Sequence, residues 1–258
     1  MRCISVNCYL FPTVIGMLLA PRVQLPVLAR IRALAAKVAE YDLVLVQECW
    51  GHRNQADLMS AMQAHGFEHF ILSEPTSRWS GGIGAGLVVA SRRALYDMQY
   101  VAASGGYNEE IFCSKGAILF RVHAADDAVF ANLHLVAGDA RGPMRADQMG
   151  RIVAAMQAAY PQSPALMVGD FNQEDAVALL PSHLPHGPFT RCYPSAPRFT
   201  DYENTSTIDH VLRQDGAPVV TRVTADRSFV QQGLTDHAGV AFEISDRGQA
   251  DRAKNKQI

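Results

Sequence analysis

The sequence predicts an α/β protein whose strands are covered on both faces, one face by a second sheet and the other by a helix layer. Two observations carry that reading. Short β-rich runs recur along the chain, most of them near-continuously apolar, and between them lie stretches with apolar residues at helical spacing. With 258 residues and 48% hydrophobic composition, the chain is long enough to bury one large core, and a single domain over residues 1–244 is expected. The polar segment 245–258 (SDRGQADRAKNKQI) cannot support a core and is expected to be a disordered tail.

The first strand is read from Cys3 to Val6, where alternating small and β-branched residues begin the chain. A helix follows from Val23 to Glu40, apolar at helical spacing with Arg and Lys on its other positions. LVLVQ, Leu43 to Gln47, gives a fully buried strand, and a shorter helix spans Asn54 to His65. Strands are then expected at His69 to Leu72, Gly86 to Ala90, Gly116 to Val122 and Val129 to Leu133. The third helix covers Arg141 to Tyr160, and the last strands are Ala165 to Val168, Ile208 to Leu212 and Val240 to Ile244. Strands interleaved with outward helices suggest an α/β/β/α sandwich, although periodicity alone does not separate this from a doubly wound sheet.

Composition narrows the chemistry. The formal net charge of −2 gives no long-range attraction for polyanions, which counts against a nonspecific nucleic-acid binder. Basic residues are scattered, and Arg22, Arg30, Arg32, Arg141, Arg145 and Arg151 read as solvated helix faces. The cysteines Cys3, Cys8, Cys49, Cys113 and Cys192 are odd in number and contain no CxxC, so neither a disulfide framework nor a zinc knuckle is indicated. A reducing, cytoplasmic location is expected. The apolar stretch Tyr9 to Ala20 contains Pro12 and Gly16 and is preceded only by Arg2, which argues against a cleavable signal. It is also too short to span a bilayer, so no transmembrane helix is expected.

The informative residues stand where the apolar runs stop. Asn7 closes the first, Glu48 closes LVLVQE, His134 closes VFANLH, and Asp170 with Asn172 closes ALMVGDFN. Asp209 and His210 lie in TIDHVL, and Asp236 and His237 in LTDH before the last strand. Any one of them alone is more often a turn former or a packed histidine. Gathered at five strand ends, they suit phosphate-ester hydrolysis. Hard oxygen donors such as Glu48 and the Asn7 amide fit Mg²⁺ or Mn²⁺, and an imidazole held by a carboxylate, His237 with Asp209, can take a proton from water near neutral pH.

Read in order, GDFN, IDHVL and TDH before a final strand resemble the endonuclease/exonuclease/phosphatase superfamily, over about Ser5 to Ile244. The resemblance implies a DNase I-like four-layer sandwich of two packed mixed sheets flanked by helices. It implies that Asn7 and Glu48 hold the metal, that Asp170 and Asn172 orient the water and touch the phosphate, and that His134 contacts a phosphate oxygen. It further implies that His237 is the general base, oriented by Asp209, and that Asp236 assists the metal or the imidazole. Thr235 stands where the family usually has Ser and keeps the hydroxyl.

Within that superfamily, QECW, GGIGAGLVVASR (81–92) and FCSKG (112–116) resemble neutral sphingomyelinases, whose basic residue near the site would here be Lys115. Asn132, Trp50 and Arg78 complete the expected substrate-binding set, with Trp79 beside Arg78 on a rim. The segment YLFPTVIGMLL (9–19) follows Asn7 directly; it is either buried core or an apolar loop that meets a membrane surface or acyl chains. The expected activity is a phosphodiesterase acting on a phospholipid head group, with a DNase I-like nuclease and a catalytically silent binding module as the alternatives.

Overall fold

The computed structural model describes residues 1–11, 25–73, 84–103, 113–123, 125, 128–181, 184–192, 200 and 206–245. Arg78, Trp79, residues 12–19 of the apolar segment, most of the 81–92 glycine-rich motif's opening and the expected tail beyond Ser245 lie outside these residues.

Two six-stranded mixed sheets face each other. The first contains β1 (Arg2–Leu10), β2 (Leu43–Cys49), β3 (His69–Leu72) and β4 (Val88–Ser91), together with β11 (Val220–Asp226) and β12 (Gly239–Ile244), in the order β11-β12-β1-β2-β4-β3. The second contains β5 (Leu95–Ala102), β6 (Gly116–Val122), β7 (Val129–His134), β8 (Ala165–Asp170), β9 (Phe189–Arg191) and β10 (Asp209–Gln214), in the order β5-β6-β7-β8-β10-β9. Helices α1 (Val27–Lys37) and α2 (His52–Gln63) cover the first sheet, and α3 (Gly142–Ala159) covers the second; α4 (Ser228–Gln231) is a single turn before β12.

The hydrophobic effect explains why most strands read as unbroken apolar runs. Leu45, Val89, Phe120, Phe130, Val168 and Phe242 fill the space between the sheets. On the outer face of the first sheet, Ile4, Val44, Val46 and Ala90 pack under Ile31, Leu34 and Leu58. On that of the second, Leu119, Ala131 and Met167 meet Met149, Ile152 and Met156 of α3. Both faces of the inner strands are therefore dry, which is the four-layer arrangement the sequence implied.

The nine expected strands and three helices are all present, with ends displaced by a few residues. The three strands the sequence reading lacked, β5, β9 and β11, are all sheet edges. Much of β5 and β11 is solvated, so neither offers a continuous apolar run, and β9 is only three residues long. A second correction concerns the helices. Arg32 and Arg151 are solvated as expected, but Arg30 and Arg145 are buried, at 3% and 4% exposure, where backbone carbonyls of neighbouring loops solvate their guanidinium groups.

Topology brings the polar residues to one end. β1 runs parallel to β2 and β7 parallel to β8, so Asn7, Glu48, His134 and Asp170 all lie toward the C-terminal ends of their strands. β10 is antiparallel to β8 and pairs Asp209 with Asp170, and β12 is antiparallel to β1, so Asp209 and the Asp236–His237 pair arrive at the same end from the opposite direction. Among the described residues, no helix is long and apolar enough to cross a membrane.

Candidate active site

The acidic half of the site is built on the seam between the sheets. Asn7 and Glu48 sit inside β1 and β2 rather than after them, because both strands continue past a register irregularity between Asn7 and Leu10. Glu48 has φ 56°, a left-handed conformation uncommon for a residue other than glycine, asparagine or aspartate. That kink turns a carboxylate which alternation would bury against helix or sheet toward the strand ends. The Asn7 amide Nδ2 then donates to Glu48 Oε1 and to Asp170 Oδ2, each at 3.0 Å, joining the two sheets through one side chain.

His134, fully buried at the end of β7, places Nε2 3.6 Å from both Glu48 Oε1 and Asp170 Oδ2 and 3.0 Å from the Lys115 ammonium, which also donates to Leu135 O at 3.2 Å. Burial, the Lys115 charge and His237 push the His134 imidazole well below its ordinary range, so it is neutral. Burial likewise raises the Glu48 carboxyl, and burial with the neighbouring Asp209 charge pushes Asp170 up to about 7.

The basic half is a carboxylate–imidazole pair. His237 Nδ1 lies 2.8 Å from Asp209 Oδ2, leaving Nε2 as the ring nitrogen that this carboxylate does not engage. Burial alone would lower the His237 imidazole; the Asp209 charge and hydrogen bond, with the charges of Asp170 and Asp236, outweigh it and raise the group well above its ordinary value. The hydroxyl of Thr235 donates to Asn7 O at 2.6 Å and accepts from His237 N at 3.3 Å, which is why a hydroxyl residue opens the TDH motif. In GDFN, Asp170 Oδ1 accepts from Asn172 N at 2.8 Å, and Asn172, at φ 50°, donates Nδ2 to Leu135 O at 3.0 Å. Gly169 has φ 139°, and a Cβ there would stand 2.1 Å from Leu133 O, so only glycine allows β8 to lie this close to β7.

The structure therefore brings Asn7, Glu48, His134, Asp170, Asn172, Asp209, His237 and Lys115 to one end of the sandwich, with Asp236 near enough for its charge to act on both Glu48 and His237. Trp50 joins them from behind: its indole N–H donates to Glu48 Oε2 at 3.4 Å, and its ring packs on Gly86 and 6.1 Å from the His134 ring. Asn132 is placed apart. It is wholly buried between the sheets, donating to Val46 O and Val88 O at 3.1 and 3.0 Å and accepting from Gln47 Nε2 at 2.7 Å. His210, next to Asp209, points away to donate toward Gln173 O at 2.8 Å.

Among the described residues, two sets of side chains have ligand atoms within 4.8 Å of one another: Glu48, His134 and Asp170, and then Asp170, Asp209 and His237. Glu48, Asp170 and Asp209, the last two fully buried, bring carboxylate oxygens together at the strand ends with Asn7 bridging two of them, and such hard oxygen atoms suit a divalent cation. His134 Nδ1 is buried without a hydrogen-bond partner among the described residues, while Nε2 is the ring nitrogen that faces Glu48, Asp170 and Lys115.

A family model described as the Endonuclease/Exonuclease/phosphatase family matches residues 4–237. The chain belongs to that family. With it, the protein is placed among metal-dependent phosphoric ester hydrolases, and its two-sheet sandwich is the DNase I-like fold. No curated protein is significantly similar in sequence. Among solved structures, a mutant beta toxin from Staphylococcus aureus with bound magnesium ions superposes with a TM-score of 0.66 at 13% identity, covering 95% of this chain and 99% of that one. Sphingomyelinase C from Streptomyces griseocarneus gives 0.64 at 15% identity, covering 94% and 98%. ANGEL2, described as a 2',3'-cyclic phosphatase, gives 0.70 at 13% identity, covering 94% of each. At such identities the likeness is one of fold.

Proposed function

We propose that this member of the family is a Mg²⁺-dependent phosphodiesterase, Mn²⁺ being a substitute, that hydrolyses a phospholipid head group of the sphingomyelin type. The observation that carries the reading is the juxtaposition of a carboxylate-held imidazole, His237–Asp209, with the buried acidic cluster of Glu48, Asn7 and Asp170. Glu48, assisted by Asp236, would hold the cation together with Asn7, whose amide would turn over to offer the Oδ1 that accepts from Tyr9 N; when bound, the ion neutralises charge on phosphoryl oxygens.

The protein's own groups then divide the work. His237 Nε2 takes the proton of the attacking water, and Asp209 fixes the ring with Nδ1 protonated and stabilises the imidazolium that results. Asp170 and Asn172 orient that water, their geometry fixed by the bond between Asn172 N and Asp170 Oδ1. His134, kept neutral, and Lys115, kept beside it, meet the phosphate oxygens opposite the base.

The lipid assignment is supported by the rim and by the fold likeness to a sphingomyelinase. Tyr9 and Phe11, two and four residues beyond Asn7, pack edge to face at 5.0 Å, and Phe11 lies 6.1 Å from Trp50. Both rings are half-buried, offering an apolar border to a site that is otherwise acidic. Peripheral contact with a lipid surface through this border would bring head groups to the catalytic end. The test is a parallel assay with Mg²⁺ on sphingomyelin vesicles, phosphatidylcholine vesicles, an inositol phosphate and plasmid DNA. Vesicle turnover well above nicking of DNA is expected; rapid nicking with no lipid hydrolysis would replace the lipid reading with a nuclease.

A further inference from the structure

Arg30 and Arg145 occupy equivalent places in the two sheets. Each is the fourth residue of its helix, α1 or α3, and each helix is the crossover between two parallel neighbours, β1 to β2 or β7 to β8. Both guanidinium groups are buried and reach back to the strand end that precedes their helix. Arg30 donates to Cys8 O at 2.7 Å and Tyr9 O at 3.0 Å, just beyond Asn7, and to Leu234 O at 2.8 Å, just before Thr235. Arg145 donates to Val136 O at 3.2 Å and Gly138 O at 2.8 Å, just beyond His134, and to Gln173 Oε1 at 3.2 Å, just after Asn172.

Each arginine thus fastens two separate site segments together: Arg30 the Asn7 strand to the TDH loop, Arg145 the His134 strand to the GDFN loop. Tyr9 has φ 48°, so the chain beyond Asn7 turns sharply where Arg30 grips it. A planar fork with several fixed N–H vectors can span three acceptors on two segments; an ammonium on a flexible stem cannot hold the same spread.

We propose that Arg30 and Arg145 are paired positioning residues, Arg30 setting the metal-binding half of the site and Arg145 the half that meets phosphate. The assignment of halves rests on the metal and phosphate roles given above. Groups behind metal ligands commonly alter affinity by about 10- to 100-fold, and Arg30 acts one bond further back, through the backbone.

The test uses the full chain as wild type, Arg30→Lys, Arg30→Met, Arg145→Lys, Arg145→Met, and Arg92→Lys as a control. Arg92 also binds several carbonyls, Ala39 O, Tyr41 O, His65 O and Gly66 O, in a corner remote from the site. Mn²⁺ affinity is read from the paramagnetic resonance of the free ion without substrate, folding by circular dichroism and melting, and kcat and KM at saturating Mg²⁺. The Arg30 variants are expected to bind Mn²⁺ about tenfold more weakly, the methionine form more so than the lysine form. The Arg145 variants are expected to keep Mn²⁺ affinity within about twofold and lose about tenfold in kcat, and Arg92→Lys to lower the melting temperature alone.

Folded Arg30 variants with wild-type Mn²⁺ affinity would overturn the proposal. So would an equal loss in Arg92→Lys, or an Arg30→Lys chain that does not fold, because the arginine would then serve stability only. A wild-type protein that binds no Mn²⁺ gives a different result: it removes the metal reading itself.

Discussion

Replacing Asp209 by Asn keeps the shape of the His237 partner and removes its charge. The Asp209 side chain is 3% exposed and accepts from His237 Nδ1 at 2.8 Å, so water does not replace what is lost. A hydrogen bond to a charged partner contributes roughly 1.5–3 kcal/mol, and at about 1.4 kcal/mol per factor of ten its loss from the imidazolium-bearing transition state slows turnover at least about 10- to 100-fold. An amide rotated to donate would stabilise the wrong tautomer and enlarge the effect. The pH profile moves as well. A base acts unprotonated, so activity rises as pH climbs through the His237 pKa, which Asp209 holds up; without that charge the acid limb shifts to lower pH. The assay is kcat/KM on sphingomyelin vesicles with Mg²⁺ between about pH 5 and 9. A folded Asp209→Asn enzyme with full activity, or with an unmoved acid limb, would refute the pairing as the source of basicity.

The Asn132 bridge gives a prediction about stability. Asn132→Leu removes the donor to Val46 O and Val88 O in a dry seam, while Gln47 Nε2 keeps Ser5 Oγ; at about 1–3 kcal/mol for each carbonyl, a loss on the order of 2–6 kcal/mol should lower the melting temperature by at least about 4 °C, and an unchanged melting curve would contradict the bridge. His210 is lowered to about 4, chiefly by burial, from 6.5. Its neutral form contributes stability above 6.5 that is lost as pH falls toward 4, on the order of 3 kcal/mol, so His210→Gln, which can still donate to Gln173 O, should flatten the denaturant-measured stability over that window relative to wild type. Chelation with EDTA should abolish hydrolysis and added Mg²⁺ restore it, while Glu48→Gln should raise the Mg²⁺ needed at least about tenfold; activity indifferent to both would dismiss Glu48 as a ligand.

Much of this architecture was legible because buried strands announce themselves by apolar runs, and the runs end in the residues that converge. What escaped the sequence did so for physical reasons. β5 and β11 lie at sheet edges with almost no fully buried residue, so alternation there has no dry face to record it. Arg30 and Arg145 look like any solvated helix charge, since burial against carbonyls at strand ends and in loops that only the folded chain brings beside the helix leaves no local trace. Asn132 lies two residues before His134 and so on the same face of β7, but deeper in the seam between the sheets, where it bridges backbone carbonyls instead of reaching the strand ends. The left-handed Glu48 could not be foreseen either: nothing in QECW distinguishes a kinked glutamate from one in a straight strand.

The proposed base, His237, arrives last in the chain. β12 lies against β1, with Cys3 opposite Phe242, so one sheet is completed by pairing residues some 240 positions apart. A chain cut before Thr235 would still carry Glu48, Asp170 and Asp209, yet would lack Asp236, the His237 imidazole and the strand β12 that lies against β1. With His237 in its proposed role, activity during refolding should appear only once β12 has paired with β1.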